Sequence, residues 1–199
     1  TGGRIHAFHV SDGQEAFHMD GYNPISHPAI SPGQSQVAFG GYEDGQVQVW
    51  SVAENKPLFT LAGHTGLVTS LAYGPDGQQL ASASLDGTVR IWNSQDGSPV
   101  HRLTGHSGPV RAVQYSPDGT QLASLGDDST LHLWDARDGQ LRKTLDTQSI
   151  NRLANSITFT PDGQRVMLAF GCPYYQSCQM DATGDLRQVD LTTDQVETL

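Results

Sequence analysis

Two sets of side chains in this chain of 199 residues combine an imidazole, a hydroxyl and a carboxylate: His64, Ser82 and Asp86, then His106, Ser124 and Asp128. These are the residue types of a hydrolytic triad, in which the imidazole takes the serine proton and the carboxylate orients the ring. Their spacing speaks against that chemistry. Each member of the second set follows its counterpart by 42 residues, and an active site does not recur once per repeat. Neither serine sits in a Gly-x-Ser-x-Gly elbow.

The remaining reactive residues form no recognisable motif. His6 and His132 share one strand position with Gln48, Arg90 and Arg187, a polar position with no ligand logic. His9, His18 and His27 lack zinc-site spacing. There is no Cys-x-x-Cys-His, no phosphate-binding glycine loop and no calcium-loop pattern. No metal, cofactor or catalytic residue is expected. Cys172 and Cys178 either close a small disulfide loop or stand as two free thiols.

The formal net charge is -10, from 11 basic and 21 acidic residues. Phosphate contacts need a basic face, so nucleic acid is not an expected partner, and an anionic membrane surface is disfavoured for the same reason. No run approaches the ~18 apolar residues of a spanning helix. Charged residues make up 16% of the chain, below the ~25% of ordinary soluble domains, and Lys56 and Lys143 are the only lysines. Gln, Ser, Thr and Gly carry the polarity instead. Such a surface leans slightly toward an exported protein, with the cytoplasm as the alternative, and a Cys172–Cys178 disulfide would strengthen that lean.

The elements that position these residues are repeats. Tryptophans fall at Trp50, Trp92 and Trp134, and Gly-His pairs at Gly63-His64 and Gly105-His106, all at intervals of 42. A turn recurs as Ser31-Pro32-Gly33, Gly74-Pro75-Asp76-Gly77, Ser116-Pro117-Asp118-Gly119 and Thr160-Pro161-Asp162-Gly163. Each unit reads as four short strands. In 105–146 these are Val110 to Tyr115, Gln121 to Leu125, Thr130 to Trp134 and Leu141 to Leu145, separated by Pro, Asp and Gly turns. No window carries a 3.6-residue period, so essentially no helix is expected.

A repeat of this length with four strands and these markers resembles the WD40 family over essentially the whole chain, most clearly from Gly40 to Asp146. The resemblance implies an all-β propeller of four-stranded antiparallel blades, in a repeat style that suits a bacterial source. One propeller segment, 1–199, is expected. Residues 1–20 would be trailing strands, and 21–62, 63–104, 105–146 and 147–199 would be blades, the last with an insertion at 171–183. That makes about four and a half blades, part of a larger ring.

The same resemblance gives the two triad-like sets a structural role. His64, Ser82, Asp86 and Trp92 would form one hydrogen-bonded network, and His106, Ser124, Asp128 and Trp134 a second. The outer blades depart from the pattern. In the first, Gly40 is placed at the Ser position and Gly21-Tyr22 at Gly-His; in the last, Val189 stands at Trp and Asp146-Thr147 at Gly-His.

By the family's pattern, partners would bind one rim through Pro24, Ser26, Leu67, Thr69, Pro109, Arg111, Leu153 and Asn155 at inner-strand starts, and through Glu43, Leu85 and Asp127 before the turn Asp. The mixed apolar and charged character of this set suits a protein or peptide. Tyr174 and Tyr175 on the insertion add candidate contacts. The expected function is a non-catalytic interaction scaffold or a subunit of a larger assembly. The alternative is an accessory domain of a signalling enzyme whose catalytic part lies elsewhere.

Overall fold

The computed structural model describes residues 4–8, 13–20, 28–40, 45–147, 154–170 and 186–198. Strand follows strand throughout them, and none of the described residues forms a helix. An antiparallel hairpin, β1 (Arg4–Phe8) and β2 (Glu15–Asp20), comes first. Four sheets of four strands follow. The first blade holds β3 (Ala29–Ile30), β4 (Gln36–Gly40), β5 (Val47–Ser51) and β6 (Lys56–Leu61). The second holds β7 (Val68–Tyr73), β8 (Gln79–Ser84), β9 (Thr88–Asn93) and β10 (Pro99–Thr104). The third holds β11 (Val110–Tyr115), β12 (Gln121–Gly126), β13 (Thr130–Asp135) and β14 (Leu141–Asp146). The fourth holds β15 (Ala154–Phe159), β16 (Arg165–Phe170), β17 (Leu186–Asp190) and β18 (Val196–Thr198).

The recurring Pro-Asp-Gly turn has a local cause. Asp118 accepts hydrogen bonds from the Thr120 amide and hydroxyl, closing the turn on itself. Gly119 follows at φ 71°, in the left-handed region, and a Cβ there would come within 3.0 Å of the Pro75 ring of the preceding blade. One glycine therefore serves both the turn and the approach of two blades.

Burial follows position in the blade. β8 and β12 are buried on both faces, whereas β14 is exposed along most of its length. The four-stranded sheets pack face to face in chain order, with the Trp-bearing faces of the second and third blades, and the matching Val189 face of the fourth, against the preceding blade. Trp92, Leu80 and Tyr73 pack with Ala38, Val47 and Val49. Trp134, Leu122 and Tyr115 pack with Ala81, Val89 and Ile91. Val189, Val166 and Phe159 pack with Ala123, Leu131 and Leu133. Each fully buried aliphatic side chain stabilises this stack by roughly 1.5–3 kcal/mol.

Polar contacts stitch the seams. The Tyr73 hydroxyl donates to Gln36 Oε1 at 3.3 Å, and Tyr115 donates to Gln79 Oε1 at 3.1 Å. Phe159 occupies the same position in the fourth blade and has no hydroxyl to offer. At that seam Lys143 Nζ donates to the Leu191 carbonyl at 2.8 Å and pairs with Asp194.

The ladder register corrects two expectations. Ser82 lies opposite Arg90, two residues before Trp92, and in the first blade the residue opposite Gln48, two before Trp50, is Phe39. Phe39, not Gly40, therefore stands at the Ser position, with its ring 6.4 Å from that of Trp50. The β4–β5 connection is longer than the β8–β9 turn, so counting back from Asp44 slips by one. In the fourth blade the slip is in the other marker. Thr104 pairs with Thr88 and Asp146 with Thr130, so the residues matching Gly105-His106 are Thr147-Gln148 rather than Asp146-Thr147. Gly21-Tyr22 and Gln148 lie outside the described residues. Val189 does occupy the Trp position, opposite Val166 as Trp134 is opposite Leu122.

Candidate functional site

Each internal network is a one-directional chain of hydrogen bonds. The Trp92 indole can only donate, and its Nε1 lies 2.9 Å from Ser82 Oγ. The Ser82 proton is then given to His64 Nε2 at 2.8 Å, which leaves the ring proton on Nδ1, donated to Asp86 Oδ2 at 2.9 Å. In the third blade Trp134 donates to Ser124 at 2.8 Å, Ser124 to His106 Nε2 at 2.8 Å, and His106 Nδ1 to Asp128 at 3.1 Å.

The carboxylate ends of both chains gather donors that the sequence reading did not assign. Asp86 accepts from the Thr88 hydroxyl at 2.7 Å, the Thr88 amide at 2.9 Å and the Thr65 amide at 3.0 Å. Asp128 accepts from the Thr130 hydroxyl and the Ser107 amide, each at 2.8 Å. The signal was present as Asp-Gly-Thr at 86–88 and Asp-Ser-Thr at 128–130, again one repeat apart.

These surroundings fix the charge states. Burial pushes the His64 and His106 imidazoles below their usual pKa, outweighing the pull of Asp86 and Asp128. For Asp86 burial raises the pKa, but the bonds from Thr88, Thr65 and His64 prevail and hold it at about 2. Both serines are fully buried, with acceptor and proton already committed. Neither is a nucleophile that a substrate reaches, so the arrangement binds strands together and has no free group for acyl transfer.

His132 has a role that its strand position did not suggest. Its ring stacks on His106 with centroids 3.9 Å apart and planes 14° from parallel. It is 3% exposed, and its buried Nδ1 has no hydrogen-bond partner. Burial, then the neighbouring His106, pushes its pKa down to about 4. His106, Asp128 and His132 bring possible metal ligands together, but both His106 nitrogens are committed and the stacked rings are too close to share an ion. Gly126 makes room for the stack, since a Cβ there would meet His106 Nδ1 at 2.5 Å.

The rim residues of the second and third blades form one continuous row. The Leu85 amide donates to the Leu67 carbonyl and the Asp127 amide to the Pro109 carbonyl, at 2.9 and 2.8 Å. Leu85 and Pro109 line opposite sides of a cleft of about 310 Å³ between the blades. Arg111 completes the row, gripping Asp127 through two bonds. Leu67, Leu85, Pro109, Arg111 and Asp127 are all partly exposed. Thr69 belongs to the seam as well, because its hydroxyl donates to the Val110 carbonyl at 2.7 Å. Asn155 lies in β15, with its side chain outside the described ones. Pro24, Ser26, Glu43, Leu153, Cys172, Tyr174, Tyr175 and Cys178 lie outside the described residues.

Residues 55–93 and 97–135 match the WD40 family, WD domain, G-beta repeat. Each matched stretch begins near the outer strand of one blade and ends on the third strand of the next, so the sequence repeat is staggered against the blade in space. The chain is 36% identical over 72 residues to Protein HIR1 of Kluyveromyces lactis, covering 28% of this chain and 8% of that protein. It is 39% identical over 56 residues to the Periodic tryptophan protein 2 homolog of Neurospora crassa, covering 28% and 6%. It is 37% identical over 57 residues to Ribosome assembly protein 4 of Chaetomium thermophilum, covering 29% and 11%. The chain thus spans a small part of the length of these relatives. All three are fungal proteins, and the bacterial source expected from the repeat style finds no support in them. Residues 55–93 and 97–135 carry WD40 repeats, set in a stack of four-stranded antiparallel blades of the WD40 propeller type.

Proposed function

We propose that this chain is a non-catalytic interaction module that holds a protein or peptide partner on the rim formed by Leu67, Leu85, Pro109, Arg111 and Asp127. The observation that carries this reading is the unbroken row itself. Two partly exposed apolar residues, Leu85 and Pro109, line an inter-blade cleft, with Leu67 hydrogen-bonded beside Leu85 and the Arg111–Asp127 ion pair beside Pro109. Loops on a rigid scaffold are where propellers present such surfaces. The triad-like residues favour the same reading, being consumed in the two buried networks. The net charge of -10 favours a protein or peptide over nucleic acid. The name of one relative, Ribosome assembly protein 4, supports a role as a subunit of a larger assembly.

The test compares partner retention by the wild-type protein, by Leu85→Arg and by Gln140→Arg. Antiparallel order puts Gln140, in the β13–β14 turn, at the end of the blade away from Leu85. The expected result is loss of the partner with Leu85→Arg alone, at unchanged thermal stability. Equal retention by all three proteins would remove the rim from consideration.

A further inference from the structure

The β1–β2 hairpin brings together three ligand-type side chains that are distant in kind from anything at the same positions elsewhere in the fold. His6 and His18 are direct cross-strand partners, with ring centroids 6.3 Å apart. Glu15 Oε1 lies between them, 2.8 Å from His6 Nδ1 and 3.5 Å from His18 Nδ1. The ladder explains how Glu15 reaches that face. Phe17 pairs with Ala7 and Glu15 with Phe8, so the register skips Ala16 and a bulge re-aims the strand.

Equivalent positions in the blades show how unusual this is. The pair opposite each other at the His6–His18 position is Gln48–Thr60, Arg90–Arg102, His132–Thr144 and Arg187–Thr198. The residue at the Glu15 position is Pro57, Pro99, Leu141 and Val196. At these register positions, among the described strands, only the hairpin carries two imidazoles and a carboxylate.

We propose that His6, His18 and Glu15 form a binding site for a borderline divalent transition-metal ion such as zinc. Imidazole nitrogen and carboxylate oxygen are the ligands such ions take, at ~2.0–2.2 Å in tetrahedral geometry. Two donors at that distance and angle lie about 3.4 Å apart; Glu15 Oε1 stands 2.8 and 3.5 Å from the two Nδ1 atoms, and an ion would replace the hydrogen bond of the shorter contact. Two imidazoles on one ion have centroids about 5 Å apart by the same geometry. The two rings stand 6.3 Å apart and 23° from parallel, so they must turn toward each other before one ion lies in both ring planes. His6, Glu15 and His18 are 38%, 40% and 54% exposed, which gives their side chains space to turn. The buried His106–His132 stack, at 3.9 Å, has neither the room nor the freedom. Three protein ligands leave the fourth position to solvent or to a partner's side chain, and the ion would clamp the two strands together.

Zinc titrated calorimetrically into the untagged protein tests the site. One equivalent should bind, and His6→Ala and His18→Ala should each weaken binding by about tenfold or more, since even outer-sphere changes cost 10–100-fold. Glu15→Gln should weaken it as well. All three side chains are exposed, so melting without metal should be unchanged, which verifies that the variants are folded. Cobalt substituted for zinc should show visible absorption bands that disappear in His18→Ala. Absence of saturable binding would overturn the proposal. So would binding that survives His6→Ala and His18→Ala but is lost in His132→Ala or in Cys172→Ser.

Discussion

Arg111 and Asp127 form a two-pronged ion pair on the rim, with Nε 2.7 Å from one carboxylate oxygen and the terminal nitrogen 2.5 Å from the other. Both are partly exposed, at 24% and 19%, so the pair contributes modestly in spite of its geometry. A double-mutant cycle with Arg111→Ala and Asp127→Ala should give a coupling of about 1 kcal/mol by denaturant unfolding. A coupling near zero would mean that the fork does not hold in solution.

Ser82 is the relay between a donor that can only give and an imidazole that must receive. Ser82→Ala strands the Trp92 indole and His64 Nε2 in the core. The expected loss is about 2–3 kcal/mol, from two buried groups left without partners. Ser124→Ala should cost a similar amount in the third blade. Urea unfolding measures both, and a loss well below 1 kcal/mol would contradict the relay.

Acid should unfold this protein in two stages. The pKa values of His64, His106 and His132 are lowered in the folded state, so the unfolded chain binds more protons as pH falls. Their contribution is complete above 6.5 and is lost as pH falls from 6.5 toward the folded values, which for His132 is about 4. Asp86 acts lower, adding stability above 3.8 that is lost as pH falls toward about 2. His132 accounts for roughly 2–3 kcal/mol of the first stage. His132→Leu should flatten the fall in melting temperature between pH 6.5 and 4. An identical slope in the variant would show that another group governs it.

Gly126 is where a single methyl group should be costly. A Cβ there meets His106 Nδ1 at 2.5 Å and Asp128 Oδ1 at 2.6 Å, both fixed by other bonds. Gly126→Ala should destabilise by about 1–3 kcal/mol, the usual cost of overpacking. At the matching position of the second blade Ser84 carries a Cβ, and Ser84→Ala loses only the bonds of its hydroxyl to Gly66 and Asp86. If Gly126→Ala melts like the wild type, the stack has slack that the geometry denies.

What the sequence determined by itself was everything set by short-range chemistry. Alternating apolar residues and Pro-Asp-Gly turns specify strands and hairpins without help from distant residues. A period of 42 then forces one blade design to recur, including the paired His, Ser, Asp and Trp positions. Tertiary structure decided whatever depended on alignment between strands. One extra residue in a turn put Phe39 where counting had put Gly40, because a ladder is aligned by its hydrogen bonds and not by distance from a marker. The stacking of His132 on His106 and the ion pair of Arg111 with Asp127 are set by how strands lie side by side. So is the meeting of His6, Glu15 and His18, where a bulge turns a carboxylate onto the face of two imidazoles. No spacing along the chain encodes those contacts, since each joins side chains through the register of a sheet.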